Sequence, residues 1–139
     1  MGGSRLIIAV VAVVFISLVA GLWIVGSPAN ARRERMDANR VSDLRGIMRA
    51  TDDFWEQNSR LPASLTELAS DARVDVAAVD PTTSEPYGYR TLTDETYELC
   101  AVFEAESDVA EARVAPGFWA HEVGRICFEI MVDQGGRSP

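Results

Sequence analysis

Apolar and polar positions divide the chain into segments with different periods. From Leu6 to Val25 the sequence LIIAVVAVVFISLVAGLWIV contains no charged residue and therefore has no polar face. At ~1.5 Å per residue this run would form a helix about 30 Å long, which matches the thickness of a bilayer core. Trp23 stands near its end, where an indole ring prefers the membrane interface. The pattern predicts a transmembrane anchor within residues 1–27.

The following segment, residues 28–60, has the period of an amphipathic helix. Pro28 comes shortly after the apolar run and is expected to kink or interrupt the helix there. The charged residues of this segment, Arg40 among them, are predicted on the solvent side. Apolar residues at steps of three and four predict the buried face, in which we expect Phe54 and Trp55 to pack: Val41, Leu44, Ile47, Met48, Thr51, Phe54 and Trp55.

Residues 61–133 are predicted to form a small domain that opens with a short helix and a loop. The sequence SLTE at Ser64–Glu67 has the form of a capping box. The hydroxyl of Ser64 would accept a hydrogen bond from the backbone of Glu67, whose carboxylate would reach back, and a helix would run from Leu65 to about Asp71. The segment Asp80–Tyr89 contains two prolines and several turn formers, which predicts a loop.

Beyond this loop the period changes to two, which is typical of half-buried strands. The first two alternating runs, Tyr87–Thr91 and Tyr97–Phe103, are predicted to form a hairpin, and Ile126–Val132 a third strand. Glu104–Ala115 is predicted to be a mobile surface loop, and residues 134–139 a flexible tail. The predicted fold class is α+β: an N-terminal transmembrane helix, then an amphipathic helix packed on a three-stranded antiparallel sheet.

The chain has two cysteines, and each lies inside an alternating run. Cys100 faces away from the side of its strand that carries Leu99 and Phe103, and Cys127 faces away from the side that carries Phe128. If the two strands are neighbours, both thiols project from one outer face. Their Cβ atoms would then be ~4.5–5.5 Å apart, and a small adjustment would close a bond. We therefore predict a Cys100–Cys127 disulfide, which an oxidising compartment would preserve.

The only histidine, His121, stands two residues after Trp119. We interpret both as packing or contact residues, with the ring nitrogens of His121 bonded to backbone. The alternative is an extracytoplasmic enzyme or metal-binding module, in which Cys100, His121 and Cys127 supply three ligands. Neither His-Glu-x-x-His nor Gly-x-Ser-x-Gly occurs, so we expect no catalytic residue, no cofactor and no resident metal.

The charge is unevenly distributed along the chain. All 13 basic residues are arginine, and from Leu61 onward 15 acidic residues face only five arginines. Nucleic acid would repel such an acidic domain, so no nucleic-acid partner is expected. The acidity is more simply explained by solubility.

The apolar run has a rival interpretation as a signal peptide. Ala29–Ala31 fits the small-residue pattern of a cleavage site, and cleavage there would release the domain. Both interpretations place the domain beyond the membrane. Arg32, Arg33 and Arg35 oppose this placement, because positive charges favour the cytoplasmic side. The predicted disulfide favours the extracytoplasmic side, and we give it more weight.

The layout resembles the type IV pilins and the pseudopilins of type II secretion. The local match consists of Leu61-Pro62 before a short helix, and of Asp80-Pro81 opening a loop that ends in Pro86-Tyr87-Gly88-Tyr89. The runs YELCAVF and HEVGRICF are also similar to those of a set of uncharacterised bacterial membrane-anchored proteins. The prepilin cleavage motif is absent, because a cut after Gly3 would put Ile8 where mature pilins carry glutamate.

The resemblance implies a pilin-like fold in a single-pass protein of a bacterial cytoplasmic (inner) membrane, with its C-terminal domain extracytoplasmic. Leu6–Val25 would hold it in the membrane. It would be a structural or interaction protein rather than an enzyme. It would act through protein partners or self-assembly, for example as a component of a filament or a secretion system.

Overall fold

The computed structural model describes residues 2–25, 28–70, 76–107 and 117–132. The chain divides into two compact units, Met1–Arg33 and Glu34–Pro139. The predicted tail, most of the predicted loop at 104–115 and the side chain of Trp23 lie outside the described part. The elements are helices α1 (Gly2–Val25), α2 (Pro28–Asn58) and α3 (Leu65–Ser70), and strands β1 (Gly88–Thr91), β2 (Thr96–Phe103) and β3 (Gly124–Met131).

Helix α1 has the length and composition of a membrane span. Its stretch Gly3–Gly21 has a mean hydropathy of 2.4, and none of it is buried. Large apolar side chains such as Ile8 and Phe15 are about two thirds exposed in the chain alone. A helix of this kind is stable in water only if something apolar covers it. The prediction of a helix able to span a membrane is confirmed, and a signal sequence would have the same properties.

The three strands form one antiparallel sheet in the order β1-β2-β3, as predicted. Thr93 closes the β1–β2 hairpin, because its hydroxyl accepts a hydrogen bond from the backbone of Thr96 at 3.0 Å. Side chains alternate between the two faces, so that Leu99 pairs with Phe128 on the inner face and Cys100 with Cys127 on the outer face. The α+β class and the sheet are therefore confirmed.

The inner face of the sheet shares one hydrophobic core with α2 and α3. Buried side chains of α2 at the predicted steps, including Leu44, Ile47 and Phe54, belong to the same cluster as Leu68 and Leu99. Trp55 is half-buried and packs against this cluster. Helix α2 ends at Asn58, where Ser59 adopts a left-handed conformation with a φ of 52°. This conformation terminates many helices.

The start of α3 is capped by the residues that the sequence indicated. The backbone of Glu67 donates to the hydroxyl of Ser64 at 3.1 Å, which confirms half of the capping box. The other half differs, because the Glu67 carboxylate accepts from the backbone of Ala63 at 2.6 Å rather than from that of Ser64. Its second oxygen accepts from Arg60, also at 2.6 Å. The Glu67 carboxylate thus joins Arg60 to the start of α3.

Removing this cap gives a first testable prediction. Ser64→Ala is expected to lower the free energy of unfolding by about 1 kcal/mol, because the amide of Glu67 loses its acceptor. The measurement is urea unfolding of the full chain in detergent, followed by tryptophan fluorescence. The matched control is Thr66→Ala, an exposed position in the same helix, which should change stability by less than about 0.5 kcal/mol. Equal effects of the two variants would contradict the cap.

Candidate functional site

A buried arginine joins three distant parts of the chain. The side chain of Arg40 on α2 is only 2% exposed. Its guanidinium donates to Asp37 at 2.6 Å, to Asp80 at 2.5 Å and to Glu104 at 3.0 Å. The prediction that Arg40 faces solvent is therefore wrong. It lies on the buried face of α2 because the loop at Asp80 and the end of β2 each bring a carboxylate to it.

The carboxylates around Arg40 also hold backbone groups. Asp37 accepts from the amide of Glu104 at 3.0 Å and from that of Ala105 at 2.7 Å, where the chain leaves β2. Asp80 accepts from the amide of Thr82 at 2.7 Å and so fixes the turn that follows it. Each buried carboxylate thus has both an ionic partner and backbone donors, which buried charges require.

The surroundings of the cluster shift the pKa values of Asp80 and Arg40. Burial by itself would raise the pKa of Asp80, but hydrogen bonds from Arg40 and from the backbone of Thr82 and Thr83 outweigh it. The pKa of Asp80 therefore lies below its ordinary value of 3.8. Burial would likewise lower the pKa of Arg40, but its bonds to Asp80, Asp37 and Glu104 raise it instead. The guanidinium stays charged throughout the range in which proteins fold.

This shift predicts how acid affects stability. Because the folded state lowers the pKa of Asp80, the unfolded chain binds the proton more readily. The contribution of Asp80 should therefore be fully present above about pH 5 and be lost as the pH falls through 3.8 and below. The melting temperature of the full chain should be measured from about pH 7 down to about pH 3. It should drop steeply at the acid end, where Asp80 takes up its proton.

The control for acid sensitivity is Asp80→Asn, which cannot titrate. This variant should be less stable at neutral pH, and its melting temperature should fall less between neutral and acid pH than that of the wild type. Parallel pH profiles for the two proteins would contradict the assignment.

The outer face of the sheet carries the disulfide. Cys100 and Cys127 are directly opposite in the register, their Cα atoms are 4.0 Å apart, and their sulfurs are bonded. The predicted disulfide is therefore confirmed, with both sulfurs on the predicted face. Cys100 is only 4% exposed even there, whereas Cys127 is open to solvent.

Charged side chains surround this disulfide. An oxygen of the Glu98 carboxylate lies 3.6 Å from the sulfur of Cys100 and also accepts from Arg90 at 3.2 Å. Gly88, on the same strand as Arg90, stands opposite Cys100. A Cβ at Gly88 would lie 2.8 Å from the Arg125 guanidinium and 2.9 Å from the Cβ of Cys100. Because Gly88 has no side chain, Arg125 and the disulfide can both occupy this part of the outer face.

The second group of predicted residues lies on the inner side, at one end of the sheet. The ring of His121 stacks on Phe103 with centroids 3.7 Å apart, and Trp119 contacts Phe128 at 4.9 Å. The backbone of His121 is anchored to Ser107, whose hydroxyl accepts from its amide at 3.0 Å. Both rings therefore lie against phenylalanine side chains of the sheet.

One expectation for His121 is wrong. Its Nδ1 is buried and has no hydrogen-bond partner among the described residues, although bonds from both ring nitrogens to backbone were predicted. The stacking on Phe103 holds the ring instead.

The structure does not assemble the alternative metal site of Cys100, His121 and Cys127. Phe103, on which His121 stacks, lies on the core face of β2, and Cys100 lies on the opposite face. Within the described residues, the metal-ligand atoms that come within 4.8 Å of one another belong to Glu98, Cys100 and Cys127. Sequence reasoning missed Glu98 here, although its position two residues before Cys100 places both side chains on one face.

The fold and the site define an α+β domain that follows a helix able to span a membrane. Comparison of the chain with protein-family models, with curated proteins and with solved structures finds no match. The resemblance to pilins and pseudopilins therefore rests on the residues quoted for it.

Proposed function

We propose that this protein is a membrane-anchored, extracytoplasmic protein of pilin-like type that works through contacts with other proteins rather than through catalysis. The observation that carries the proposal is the pairing of a membrane-length apolar helix with a small domain closed by a disulfide. A disulfide persists where thiols are not kept reduced, which in a bacterium means beyond the cytoplasmic membrane.

Two features of the domain support a contact role. Its buried Arg40 cluster is bonded internally and to backbone, as expected of a group that holds the fold together. At the end of the sheet Phe118 contacts Trp119 and Phe128 and is still 44% exposed. Val123, in the segment that leads into β3, is 64% exposed. Exposed aromatic and apolar side chains of this kind are enriched at protein interfaces.

The placement is tested by fusing alkaline phosphatase, which needs an oxidising compartment, to the C-terminus of the full chain. Active enzyme together with oxidised Cys100 and Cys127 in whole cells is expected. An inactive fusion with alkylatable thiols would place the domain in the cytoplasm, as Arg32, Arg33 and Arg35 would favour, and would overturn the proposal. Membrane fractionation separates the anchor from a cleaved signal peptide.

The contact role is tested by a photo-reactive amino acid at Phe118 or Val123 in growing cells. Cross-linking to a defined protein, or to a second copy, is expected from these positions. The control is the same probe at Thr82, an exposed position in the loop after Asp80. Cross-links that are absent from all positions, in a chain that is monomeric in detergent, would contradict the proposal.

A further inference from the structure

We propose that, when the disulfide is reduced, Glu98, Cys100 and Cys127 form a binding site for Zn²⁺ or another divalent cation that prefers sulfur. This inference does not depend on the proposed function. Their three donor atoms already lie within 4.8 Å of one another on the outer face of the sheet. Two thiolates and a carboxylate are ligands that zinc accepts, with water as the fourth.

The carboxylate is placed at the distance that a shared metal ion requires. With Zn–S of about 2.3 Å and Zn–O of about 2.1 Å, tetrahedral geometry separates a sulfur and an oxygen ligand by about 3.6 Å. The oxygen of Glu98 lies 3.6 Å from the sulfur of Cys100. A cation could therefore bridge these two atoms once reduction lets the two sulfurs move apart.

The sheet and its charges pre-organise the other ligands. The β2–β3 register places Cys100 directly opposite Cys127, so a sheet that stays folded after reduction keeps both sulfurs on one face. Arg90 holds the Glu98 carboxylate beside them at 3.2 Å, and this carboxylate is only 24% exposed. Two thiolates and a carboxylate carry three negative charges, one more than Zn²⁺ neutralises. The guanidinium of Arg90 can balance the remaining charge.

The disulfide and the metal exclude each other, because both use the same two sulfurs. A dithiol reductant transfers two electrons and two protons to the disulfide: the S–S bond breaks, two S–H bonds form, and the dithiol becomes a cyclic disulfide. Binding of Zn²⁺ then forms two Zn–S bonds and releases the two thiol protons to solvent. The oxidised chain has no thiolate to offer and should not bind the cation at this face.

The experiment uses the full chain in detergent, reduced with a dithiol and freed of it under argon, and titrated with Co²⁺ as a spectroscopic probe for Zn²⁺. Sulfur-to-cobalt charge-transfer bands at one Co²⁺ per chain, displaced by Zn²⁺, are expected. Glu98→Gln should weaken the affinity at least about tenfold, because it removes a ligand. The matched control is Glu129→Gln, which lies opposite Glu98 on the same face and should change the affinity less than about twofold.

The outcomes separate a built site from two thiols that happen to be close. Absence of cobalt–sulfur bands, bands in the oxidised chain, or equal affinities for the wild type and Glu98→Gln would each overturn the proposal. So would equal losses in Glu98→Gln and Glu129→Gln, which would show only the charge of the face. If the reduced chain loses its circular dichroism signal, addition of Zn²⁺ must restore it, and failure to do so also overturns the proposal.

Discussion

Replacing Arg40 with methionine is expected to lower the free energy of unfolding by about 3–5 kcal/mol, the cost of removing one partner from a buried ion pair. The side chain is 2% exposed and satisfies Asp37 and Asp80, whose own side chains are 3% and 8% exposed. Without the guanidinium these carboxylates would either stay charged with little solvation or have to bind protons at neutral pH. Either outcome lowers the stability of the folded state. The change is measured by urea unfolding of the full chain in detergent.

The matched control for Arg40→Met is Arg45→Met, because Arg45 is exposed on the same helix. This control should change stability by less than about 0.5 kcal/mol. Glu104→Gln should also cost less than about 1 kcal/mol, since that carboxylate is 40% exposed and is screened by solvent. If Arg40→Met does not fold, Arg40→Lys provides a graded variant, which keeps the charge but loses the forked geometry.

A combined variant distinguishes the loss of a partner from the loss of packing. If uncompensated charge causes the instability, adding Asp37→Asn and Asp80→Asn to Arg40→Met should recover part of the lost stability, although each amide alone is destabilising. A cost below about 1 kcal/mol for Arg40→Met, or no recovery in the combined variant, would contradict the central role of this cluster.

The helical period of α2 indicated the burial of Arg40 correctly, but the prediction followed the charge of the residue instead. Arg40 stands four residues before Leu44 and seven before Ile47, so it lies on the stripe that the helical period marks as buried. Its charge led to the opposite prediction. Its partners Asp80 and Glu104 are 40 and 64 residues away, and no local pattern reports such contacts. A charged residue in register with an apolar stripe is the signal that could have found the cluster.

The disulfide was predictable because strand geometry constrains it closely. Alternation fixes the face of each cysteine, and antiparallel pairing brings that face of Cys100 opposite the same face of Cys127. The surroundings of His121 follow no such rule, because it lies in an irregular segment before Gly124. Its contact with Phe103 and its bonds to Ser107 depend on how that segment folds back over the sheet end. No periodic pattern in the sequence predicts this contact or these bonds.

Removing the disulfide is the second change with a large expected effect. The Cys100→Ala, Cys127→Ala double variant should lose about 3.5 kcal/mol of unfolding free energy. The bond spans a sequence separation of 27 residues, and without it the unfolded chain gains the entropy of that open loop. A loss of this size is a large fraction of the ~5–15 kcal/mol that stabilises a small domain. Urea unfolding of the full chain in detergent measures it.

Reduction of the wild type supplies the control for this loss. In the presence of a dithiol and a metal chelator, the wild type should fall to about the stability of the double variant, whose own stability the reductant should leave unchanged. The chelator matters, because a cation bound by Glu98 and the two thiolates would restore part of the stability that the bond provided. A double variant as stable as the oxidised wild type would contradict the view that this bond secures the sheet. It would also weaken the case for an oxidising compartment, because the disulfide formed there would then add little to the stability of the domain.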